Sequence, residues 1–335
     1  MKVLVTGASG FIGSFLVEKG LELGYDVWAG IRKGSSRRYL SDARINFVEL
    51  DFSSSAALDA SLSAFKADKG CWDYIIHAAG VTKCTDKKEF MKVNYEGTRN
   101  FADAIARQGM EPRMFVYISS LSVFGPVREE MPYTPIMESD TPMPDTVYGK
   151  SKLLAEEYLK KSAGFPFVIL RPTGVYGPRE RDYFKMAAGI KRHIDFSVGY
   201  RPQTITFIYV KDLVKAAYLA AESGANGRCY FVSEPAGYES RAFSDYIQKE
   251  LGIKRVLHIK APLWVLKTVS LVSGFFSKVT GKPSTLNSDK YRIMKQRNWL
   301  CDTESLEKEL GFVAEYPLDR GVRETIEWYK KEGWL

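Results

Sequence analysis

Short apolar runs alternate with amphipathic stretches along the first two-thirds of the chain. The apolar runs predict strands at 2–7, 25–31, 45–52, 72–80, 114–125 and 165–177. The amphipathic stretches predict helices at 11–24, 94–108 and 146–162. Strands that alternate with helices in this way are typical of a parallel sheet covered by helices.

The pattern changes after Gly177. Residues 178–205 predict irregular structure, 206–223 resume a strand and a helix, and 229–233 predict one more strand. From residue 234 onward the chain is more helical, basic and apolar. We therefore predict an α/β fold with a Rossmann-type, doubly wound parallel sheet and a smaller, mostly helical C-terminal domain over its carboxyl edge.

Composition narrows the class of protein without identifying it. The 335 residues are 45% hydrophobic and 26% charged, which is ordinary for a soluble globular enzyme. An apolar strand beginning at residue 2 leaves no room for a signal peptide. Four scattered cysteines without a CxxC pair are typical of a reducing compartment. We therefore predict a cytoplasmic protein without a bound metal.

The net charge of +8 is concentrated in one region. Residues 241–301 hold twelve lysine or arginine residues against three acidic residues. Nucleic-acid binding requires aromatic or helix-turn-helix context beside such charge, and the sequence offers neither. A solvated basic surface is the simpler interpretation, so no nucleic-acid partner is predicted.

Three glycines lie between the first strand and the first helix. TGASGFIG places Gly7, Gly10 and Gly13 there, with G-x-x-G-x-x-G spacing. Glycine lets the backbone turn tightly and approach a pyrophosphate, whose charge then meets the helix N-terminus. The turn therefore predicts a dinucleotide site that also includes Ser9, Phe11 and Ile12.

Arg32 follows the second strand, where dinucleotide-binding proteins recognise the adenosine ribose. An acid at this point binds the 2′-hydroxyl, whereas an arginine accommodates a 2′-phosphate. GIRKGSSRR (30–38) holds four cations, and there is no acid between Asp26 and Asp42. NADP(H) is the favoured cofactor and NAD(H) the alternative, while an exposed basic loop without a ligand is the competing interpretation. The residues predicted to flank the adenine are Asp51 and Phe52.

YGKSK places Tyr148 and Lys152 four residues apart, on one face of a helix. A free tyrosine has a pKa near 10, and a nearby ammonium favours the phenolate and lowers that pKa. Ser120, on the fifth predicted strand, offers a hydrogen bond to the same substrate oxygen. The three residues predict proton transfer at an oxygen that accompanies hydride transfer at carbon.

Eight motifs occur in the order found in one known family. They are TGASGFIG, the LDF after the third strand, HAAG (77–80), NYEGTRN (94–100), SSLSVFG (119–125), YGKSK (148–152), RPTGVYGPR (171–179) and FIYVKDL (207–213). Together they resemble the extended short-chain dehydrogenase/reductases, the NAD-dependent epimerase/dehydratase family. The resemblance covers about residues 2 to 220, and GYDVWAGIRK is similar to the dihydroflavonol- and aldehyde-reductase-like branch.

The resemblance implies roles for individual residues. It makes Tyr148 the acid/base, Lys152 its partner and ribose ligand, Ser120 the polarising hydroxyl, and Asn94 a structural or relay residue. Further cofactor contacts implied are Ala78, Ala79, Gly80, Ser119, Pro172 and Thr173. The change of pattern after Gly177 predicts a dinucleotide-binding domain of residues 1–177 with 206–233, and a substrate-binding domain of residues 178–205 with 234–335.

Two departures from the family narrow the chemistry. Sugar dehydratases carry an Asp-Glu pair after the catalytic hydroxyl residue, whereas this chain has Leu121-Ser122, so dehydration is not expected. Many UDP-sugar epimerases have an arginine where this chain has Ile205, which weakens a sugar-nucleotide substrate. The candidate substrate contacts are Thr82, Ser122 and Arg179.

The sequence thus predicts an NAD(P)-dependent oxidoreductase, with an NADPH-dependent reductase favoured. The first alternative is a nucleotide-sugar epimerase that oxidises its substrate transiently with tightly bound NAD. The second is a non-catalytic nucleotide sensor or assembly subunit, which the intact Tyr148–Lys152 pair argues against. The predicted partner is a small carbonyl or alcohol, either apolar or a nucleotide sugar, and a homodimer is left open.

Residues 263–279, LWVLKTVSLVSGFFSKV, form an apolar segment flanked by lysines. Charge interrupts it, and it is too short for a convincing transmembrane span. Packing against the substrate domain or a second subunit is the simpler interpretation. The alternatives are a hydrophobic lid over an apolar substrate and a helix that lies in a membrane interface.

Overall fold

A computed structural model of the chain describes residues 1–280 and 287–335, apart from the side chains of 274–280. Its strands are β1 (Lys2–Thr6), β2 (Asp26–Ile31), β3 (Asn46–Glu49), β4 (Tyr74–His77), β5 (Met114–Ile118), β6 (Phe167–Pro172), β7 (Gly174–Tyr176), β8 (Ile194–Val198), β9 (Thr204–Ile205), β10 (Phe207–Tyr209), β11 (Arg228–Val232), β12 (Tyr238–Glu239) and β13 (Leu257–Ala261).

Its helices are α1 (Phe11–Glu22), α2 (Ser55–Lys69), α3 (Lys88–Phe90), α4 (Gly97–Arg107), α5 (Val147–Ser162), α6 (Arg181–Lys191), α7 (Val210–Glu222), α8 (Ala242–Glu250), α9 (Leu263–Thr280), α10 (Ser288–Lys295), α11 (Glu304–Leu310) and α12 (Leu318–Lys331). A π-helical turn, Met91–Glu96, joins α3 to α4, and a short 3₁₀ turn, Leu121–Val123, follows β5. None of the described helices is long and apolar enough to cross a membrane.

Seven strands form one parallel sheet in the order β11-β6-β5-β4-β1-β2-β3. Every residue of β5 and β6 is buried, because helices cover both faces of the sheet. This is why these strands appear in the sequence as continuous apolar runs rather than as alternating patterns. The predicted α/β, Rossmann-type fold is confirmed.

The order of the strands reverses beside β1. The chain runs from β1 outward through β2 to β3, and then returns to place β4 on the other side of β1. A crevice opens at such a reversal, outside the carboxyl ends of the strands, and ligands bind there. The glycine turn after β1 and the HAAG segment after β4 therefore meet at this crevice.

The prediction of irregular structure over 178–205 is wrong. This segment holds α6 and the strands β8 and β9. Within α6, Phe184, Ala187 and Ile190 recur at the spacing of a helical face, and the charged residues among them hide the pattern. The C-terminal part is also not purely helical, because β12 pairs with β9 and β13 pairs with β8.

A separate aromatic core lies beyond the sheet. Tyr176, Phe207 and Phe243 pack with α12 residues such as Val322, and all of these side chains are buried. This core joins β7 and β10, which pair with each other outside the seven-stranded sheet, to the helices that follow. The predicted division into domains at 177, 205 and 233 remains a prediction.

Candidate active site

The glycine turn is built so that only glycine fits at two of its positions. Gly7 has a φ of +67°, which side chains rarely adopt, and its amide oxygen accepts from the Gly10 N–H at 2.9 Å. A Cβ on Gly13 would lie 2.1 Å from the Gly7 oxygen. The first residues of α1, Phe11 and Ile12, follow directly, so the N–H groups of this helix face the crevice.

The HAAG segment forms the opposite wall of the crevice. A Cβ on Gly7 would lie 2.8 Å from the Ala78 oxygen and from the Ala79 Cα. A Cβ on Gly80 would lie 3.0 Å from Asn94 Oδ1 and 3.4 Å from Lys152 Nζ. Small residues here therefore keep open a groove that runs from the glycine turn to Lys152.

Asn94 fixes the loop that follows this groove. It lies in the π-helical turn, is fully buried, and accepts from the Val81 N–H at 2.8 Å while donating to the Val81 oxygen at 3.0 Å. Its amide also donates to Ser151 Oγ at 3.1 Å. These contacts place Asn94 on the structural side of the two roles predicted for it.

Ser120 and Tyr148 meet although they are distant in sequence. Ser120 follows β5, and Tyr148 lies in the first turn of α5, which Thr146 caps by accepting from the Gly149 N–H at 3.0 Å. The Ser120 hydroxyl lies close enough to the Tyr148 phenol to act on its pKa, which it lowers. Burial has the larger effect, and the pKa of Tyr148 is raised above its usual value.

Lys152 lies one turn further along α5 and is buried. Its ammonium donates to the Ile118 oxygen at 2.8 Å and sits 4.7 Å from the centre of the Tyr117 ring. Burial lowers the pKa of Lys152 to about 8, although the Glu156 carboxylate opposes this shift. The predicted lowering of the Tyr148 pKa by Lys152 is therefore wrong for the protein without ligands, because the ammonium is held at Ile118 and burial dominates.

A buried charge network that the sequence analysis missed lies beneath this group. Glu156 is fully buried. Its carboxylate accepts hydrogen bonds from Arg171 Nε at 3.1 Å and from Arg171 Nη2 at 2.6 Å. It also accepts from Ser119 Oγ at 2.5 Å. The hydroxyl of Ser119, predicted to contact the cofactor, is committed to Glu156. The spacing of Glu156, four residues after Lys152, was the available signal.

The adenosine end of the crevice carries Arg32 immediately after β2. Arg32 is exposed, and together with Lys92 it contributes to lowering the pKa of the Asp51 carboxyl, although hydrogen bonds from Ser53 are the main cause. Phe52 packs inward, with its ring 5.1 Å from that of Phe101. The structure thus brings Arg32 and Asp51 together, while the Phe52 ring belongs largely to the core.

Two other cations of the basic loop have partners within the protein. Arg37 lies 4.1 Å from the centre of the Phe47 ring. Arg38 pairs with Glu332 at 3.7 Å and faces the Tyr39 ring. Arg32 and Lys33, both exposed, are the other two cations of this loop, and Arg32 follows β2 directly.

The end of β6 supplies an unsatisfied polar group. The Thr173 N–H donates to the Val232 oxygen at 3.1 Å, but Thr173 Oγ1 is buried and has no hydrogen-bond partner among the described residues. Pro172 precedes it as the last residue of β6. A buried hydroxyl without a partner requires a ligand or water. Thr173, the glycine turn and the groove at Gly80 together fit an extended dinucleotide.

A cavity of about 130 Å³ adjoins Tyr148. Thr82 and Phe90 line it together with Tyr148, and the Phe90 and Tyr148 rings meet edge to face at 5.9 Å. The remaining lining residues are Lys83, Asp182, Asn287, Asp289, Lys290 and Ile293. Thr82 therefore shares this cavity with Tyr148, and its contact with substrate stays a prediction.

Asp289 comes from α10 and reaches the N-terminus of α5. Its carboxylate accepts from the Val147 N–H at 2.8 Å and from the Tyr148 N–H at 3.4 Å, and it pairs with Lys87 at 2.9 Å. Asp182 lies near Lys290, at 3.6 Å, and also pairs with Lys83. Ion pairs thus hold the walls of the cavity together.

Two other predicted substrate residues do not line this cavity. Arg179 binds Glu18 at 2.6 Å and Ser14 Oγ at 2.9 Å, and its guanidinium lies 4.3 Å from the centre of the Phe15 ring. It is therefore held against α1 rather than at the cavity of Tyr148. Ser122 supports α5 through its backbone, because a Cβ on Gly149 would lie 2.3 Å from the Ser122 oxygen.

The glycine turn, the strand reversal and the groove define a Rossmann-type dinucleotide-binding protein. Residues 3–232 match the model of the NAD dependent epimerase/dehydratase family, and the chain belongs to this family. The predicted family, and with it the oxidoreductase chemistry, is confirmed.

Several known proteins are similar to the chain over nearly its whole length. The ceramide reductase of Caulobacter vibrioides is 24% identical, over 99% of this chain and 96% of that protein. The decarboxylating sterol-4-alpha-carboxylate 3-dehydrogenase of Saccharomyces cerevisiae is 23% identical, over 97% of each. The Bordetella bronchiseptica enzyme WbmG, solved with NAD and UDP, has a TM-score of 0.77 at 21% identity, over 99% of this chain and 94% of that one.

Proposed function

We propose that the protein is an NADPH-dependent reductase that interconverts a carbonyl and an alcohol on an apolar, lipid-like molecule. The observation that carries the proposal is the closeness of the Ser120 hydroxyl to the Tyr148 phenol, which lines a cavity and lies one helical turn from Lys152. A substrate oxygen that enters this cavity meets both hydroxyls. Two relatives named for ceramide and sterol substrates support the lipid class.

Each residue has a separate task in this proposal. Ser120 donates a hydrogen bond to the substrate oxygen, and Tyr148 transfers the proton to or from that oxygen. The raised pKa of Tyr148 keeps the phenol protonated, which suits a proton donor in the direction of reduction. Lys152 holds the ribose end of the groove beside Gly80. A bound nicotinamide supplies the reducing equivalent.

Arg32 supports NADP(H) over NAD(H). It is exposed at the end of β2, where a 2′-phosphate would replace the Asp51 carboxylate as its anionic neighbour. An Arg32→Ala variant should weaken NADPH binding by roughly 10- to 100-fold and leave NADH binding within a few-fold. Arg44→Ala removes an exposed arginine that pairs with Asp42 and should change neither affinity. Equal losses for both cofactors would contradict the phosphate contact.

The proposed chemistry is tested with Tyr148→Phe. This variant should lose roughly 10²- to 10⁴-fold in turnover of ketone-bearing lipids while it still binds NADPH. Tyr158→Phe is the matched control, since Tyr158 lies on the same helix and bonds to Asp103. Full turnover by Tyr148→Phe would refute the catalytic assignment and favour a nucleotide sensor or assembly subunit.

A nucleotide-sugar epimerase with tightly bound NAD is the second candidate, favoured by the UDP found with WbmG. Incubation with excess substrate separates the two candidates. A reductase consumes cofactor in proportion to product, whereas an epimerase interconverts its substrate without net consumption. Ile205, in β9, argues against the epimerase, because it stands where many such enzymes have an arginine.

A cytoplasmic location and a homodimer belong to the same proposal. The four cysteines, Cys71, Cys84, Cys229 and Cys301, are unpaired, which suits a reducing compartment. Sedimentation of the purified protein over a range of concentrations measures the oligomeric state directly.

A further inference from the structure

One face of the small sheet formed by β8 and β13 is apolar and exposed. In the parallel register, Leu257 lies beside Ile194, and Ile259 beside Phe196. All four side chains are exposed, Phe196 at 66% and Leu257 at 64%. The intervening Asp195 points the other way and is buried, where its carboxylate binds His258 Nδ1 at 3.1 Å. The polar residues of β8 therefore turn inward and the apolar ones outward.

Helix α9 likewise exposes apolar side chains and buries a polar one. Trp264 is 72% exposed, and Val269, Leu271 and Val272 are exposed on the same arc of the helix. The polar Ser270 is buried instead, and its hydroxyl donates to the Lys267 oxygen at 2.8 Å. Packing against the substrate domain therefore covers Leu263, Val265 and Leu266 only in part and leaves the four exposed side chains uncovered, while packing against a second subunit stays a prediction. The side chains of 274–279 lie outside the described residues.

The end of β8 and the start of α9 are neighbours. The Gly199 N–H, just after β8, donates to the Ala261 oxygen at 2.9 Å, and a Cβ on Gly199 would lie 3.7 Å from Leu263. We use the term apolar face for the exposed side chains of Ile194, Phe196, Leu257, Ile259, Trp264, Val269, Leu271 and Val272. An exposed apolar surface of this extent marks an interaction site.

The segments that carry the apolar face are rich in positive charge. Within 191–201 and 251–273 the single acid is the buried Asp195. The cations of these segments, all exposed, are Lys191, Arg192, Arg201, Lys254, Arg255, Lys260 and Lys267. Exposed apolar side chains on segments rich in lysine and arginine complement an anionic lipid surface, where the cations meet headgroups and the apolar groups enter the acyl boundary.

We propose that the apolar face docks the protein onto anionic membranes, with α9 lying in the interface. The proposal rests on the proposed function in one respect, because it explains how an apolar substrate reaches the site. Helix α9 packs against α10, and α10 supplies Asp289, Lys290 and Ile293 to the cavity beside Tyr148. Docking through α9 therefore brings the substrate cavity close to the lipid.

The test is flotation of the purified full-length protein with vesicles, in the absence of cofactor and substrate. Vesicles of phosphatidylcholine with about 30% phosphatidylglycerol should bind the protein at least ~10-fold more strongly than phosphatidylcholine alone. Phe196→Asp and Trp264→Asp should each weaken binding by about 10-fold or more. Val313→Asp is the matched control, since Val313 is 65% exposed outside both segments, and it should bind as the parent protein does.

Two outcomes would overturn the proposal. The first is an absence of vesicle binding by the parent protein, and the second is equal binding by Phe196→Asp, Trp264→Asp and Val313→Asp. If the parent binds no vesicles but forms a dimer that Trp264→Asp dissociates, the apolar face is an interface between copies instead. Circular dichroism and urea unfolding confirm that each variant folds.

The docking proposal and the proposed function fail separately. Vesicle binding does not depend on Tyr148, so Tyr148→Phe should float as the parent protein does. If the protein docks but reduces no lipid ketone, the proposed function fails and the docking proposal stands. If it reduces a detergent-dispersed ketone but binds no vesicles, the docking proposal alone fails.

Discussion

Replacing Glu156 by glutamine should destabilise the protein strongly while leaving its shape almost unchanged. Glu156 is fully buried and Arg171 is 3% exposed, and Arg171 donates to both carboxylate oxygens. The variant leaves a buried guanidinium without its counter-charge. Breaking a buried pair in this way costs about 3–5 kcal/mol of unfolding free energy.

The loss is measured by urea unfolding at neutral pH against two controls. Glu157→Gln changes the exposed neighbouring residue and should alter the unfolding free energy by less than about 0.5 kcal/mol. Glu156→Leu combined with Arg171→Met removes both charges and should recover most of the loss, because well-packed apolar replacements of buried pairs are often neutral. A loss below about 1 kcal/mol in Glu156→Gln, or no recovery in the double variant, would refute this reasoning.

The same variant has a second effect that packing alone would not produce. Glu156 raises the pKa of Lys152 against the effect of burial, which sets that pKa at about 8. Without the carboxylate the pKa of Lys152 falls further, so the ammonium is lost at a lower pH. NADPH affinity measured against pH should fall at alkaline pH, where Lys152 loses its charge. This alkaline limb should move to lower pH in Glu156→Gln and stay in place in Glu157→Gln. An unmoved limb would make Glu156 a purely structural residue.

Three further changes test other parts of the structure. Gly13→Ala should cost about 1–3 kcal/mol of unfolding free energy and abolish NADPH binding, because its Cβ meets backbone at 2.1 Å; Gly164→Ala, with open space around it, should do neither. Burial raises the pKa of Glu234 to about 7, so the unfolding free energy of the parent falls as pH rises from about 4.5 to 7. Urea unfolding measures the difference in unfolding free energy between Glu234→Gln and the parent at each pH. This difference should shift by about 2–3 kcal/mol in favour of the variant from pH 5 to pH 8, and a difference that does not change with pH would contradict the reasoning. Asp289→Ala removes the acceptor for the Val147 N–H and should lower the unfolding free energy by about 1–2 kcal/mol, and a loss within error would show that water replaces it.

The elements nearest the crevice were predictable because local chemistry dictates them. Gly7 and Gly13 permit a turn that a side chain would block, and the all-buried β5 and β6 appear as uninterrupted apolar runs. By contrast, α6 and β8 were missed, since charged residues interrupt their apolar positions. Local patterns fail where a segment is stabilised by distant partners, as β8 is by β13.

The electrostatics of the candidate site depended on contacts that spacing alone does not encode. The four-residue separation puts Tyr148 and Lys152 on one helix, but the carbonyl of Ile118, on another element, determines where the ammonium points. Burial then raises the pKa of Tyr148 and lowers the pKa of Lys152. The sequence therefore predicted which side chains come together, Tyr148 and Lys152, whereas their protonation states depend on the surrounding fold.

The C-terminal elements link the surface of the protein to its chemistry. Asp289 lies 142 residues from Val147 in sequence, yet its carboxylate caps the helix that carries Tyr148. The same α10 lines the cavity beside Tyr148 and packs against α9, whose apolar arc faces outward. A shift of α10 must therefore alter the cavity wall and the start of α5 together, because one carboxylate belongs to both. Within the described part of the chain, only one helix, α10, therefore lies between the proposed membrane contact at α9 and the cavity beside Tyr148.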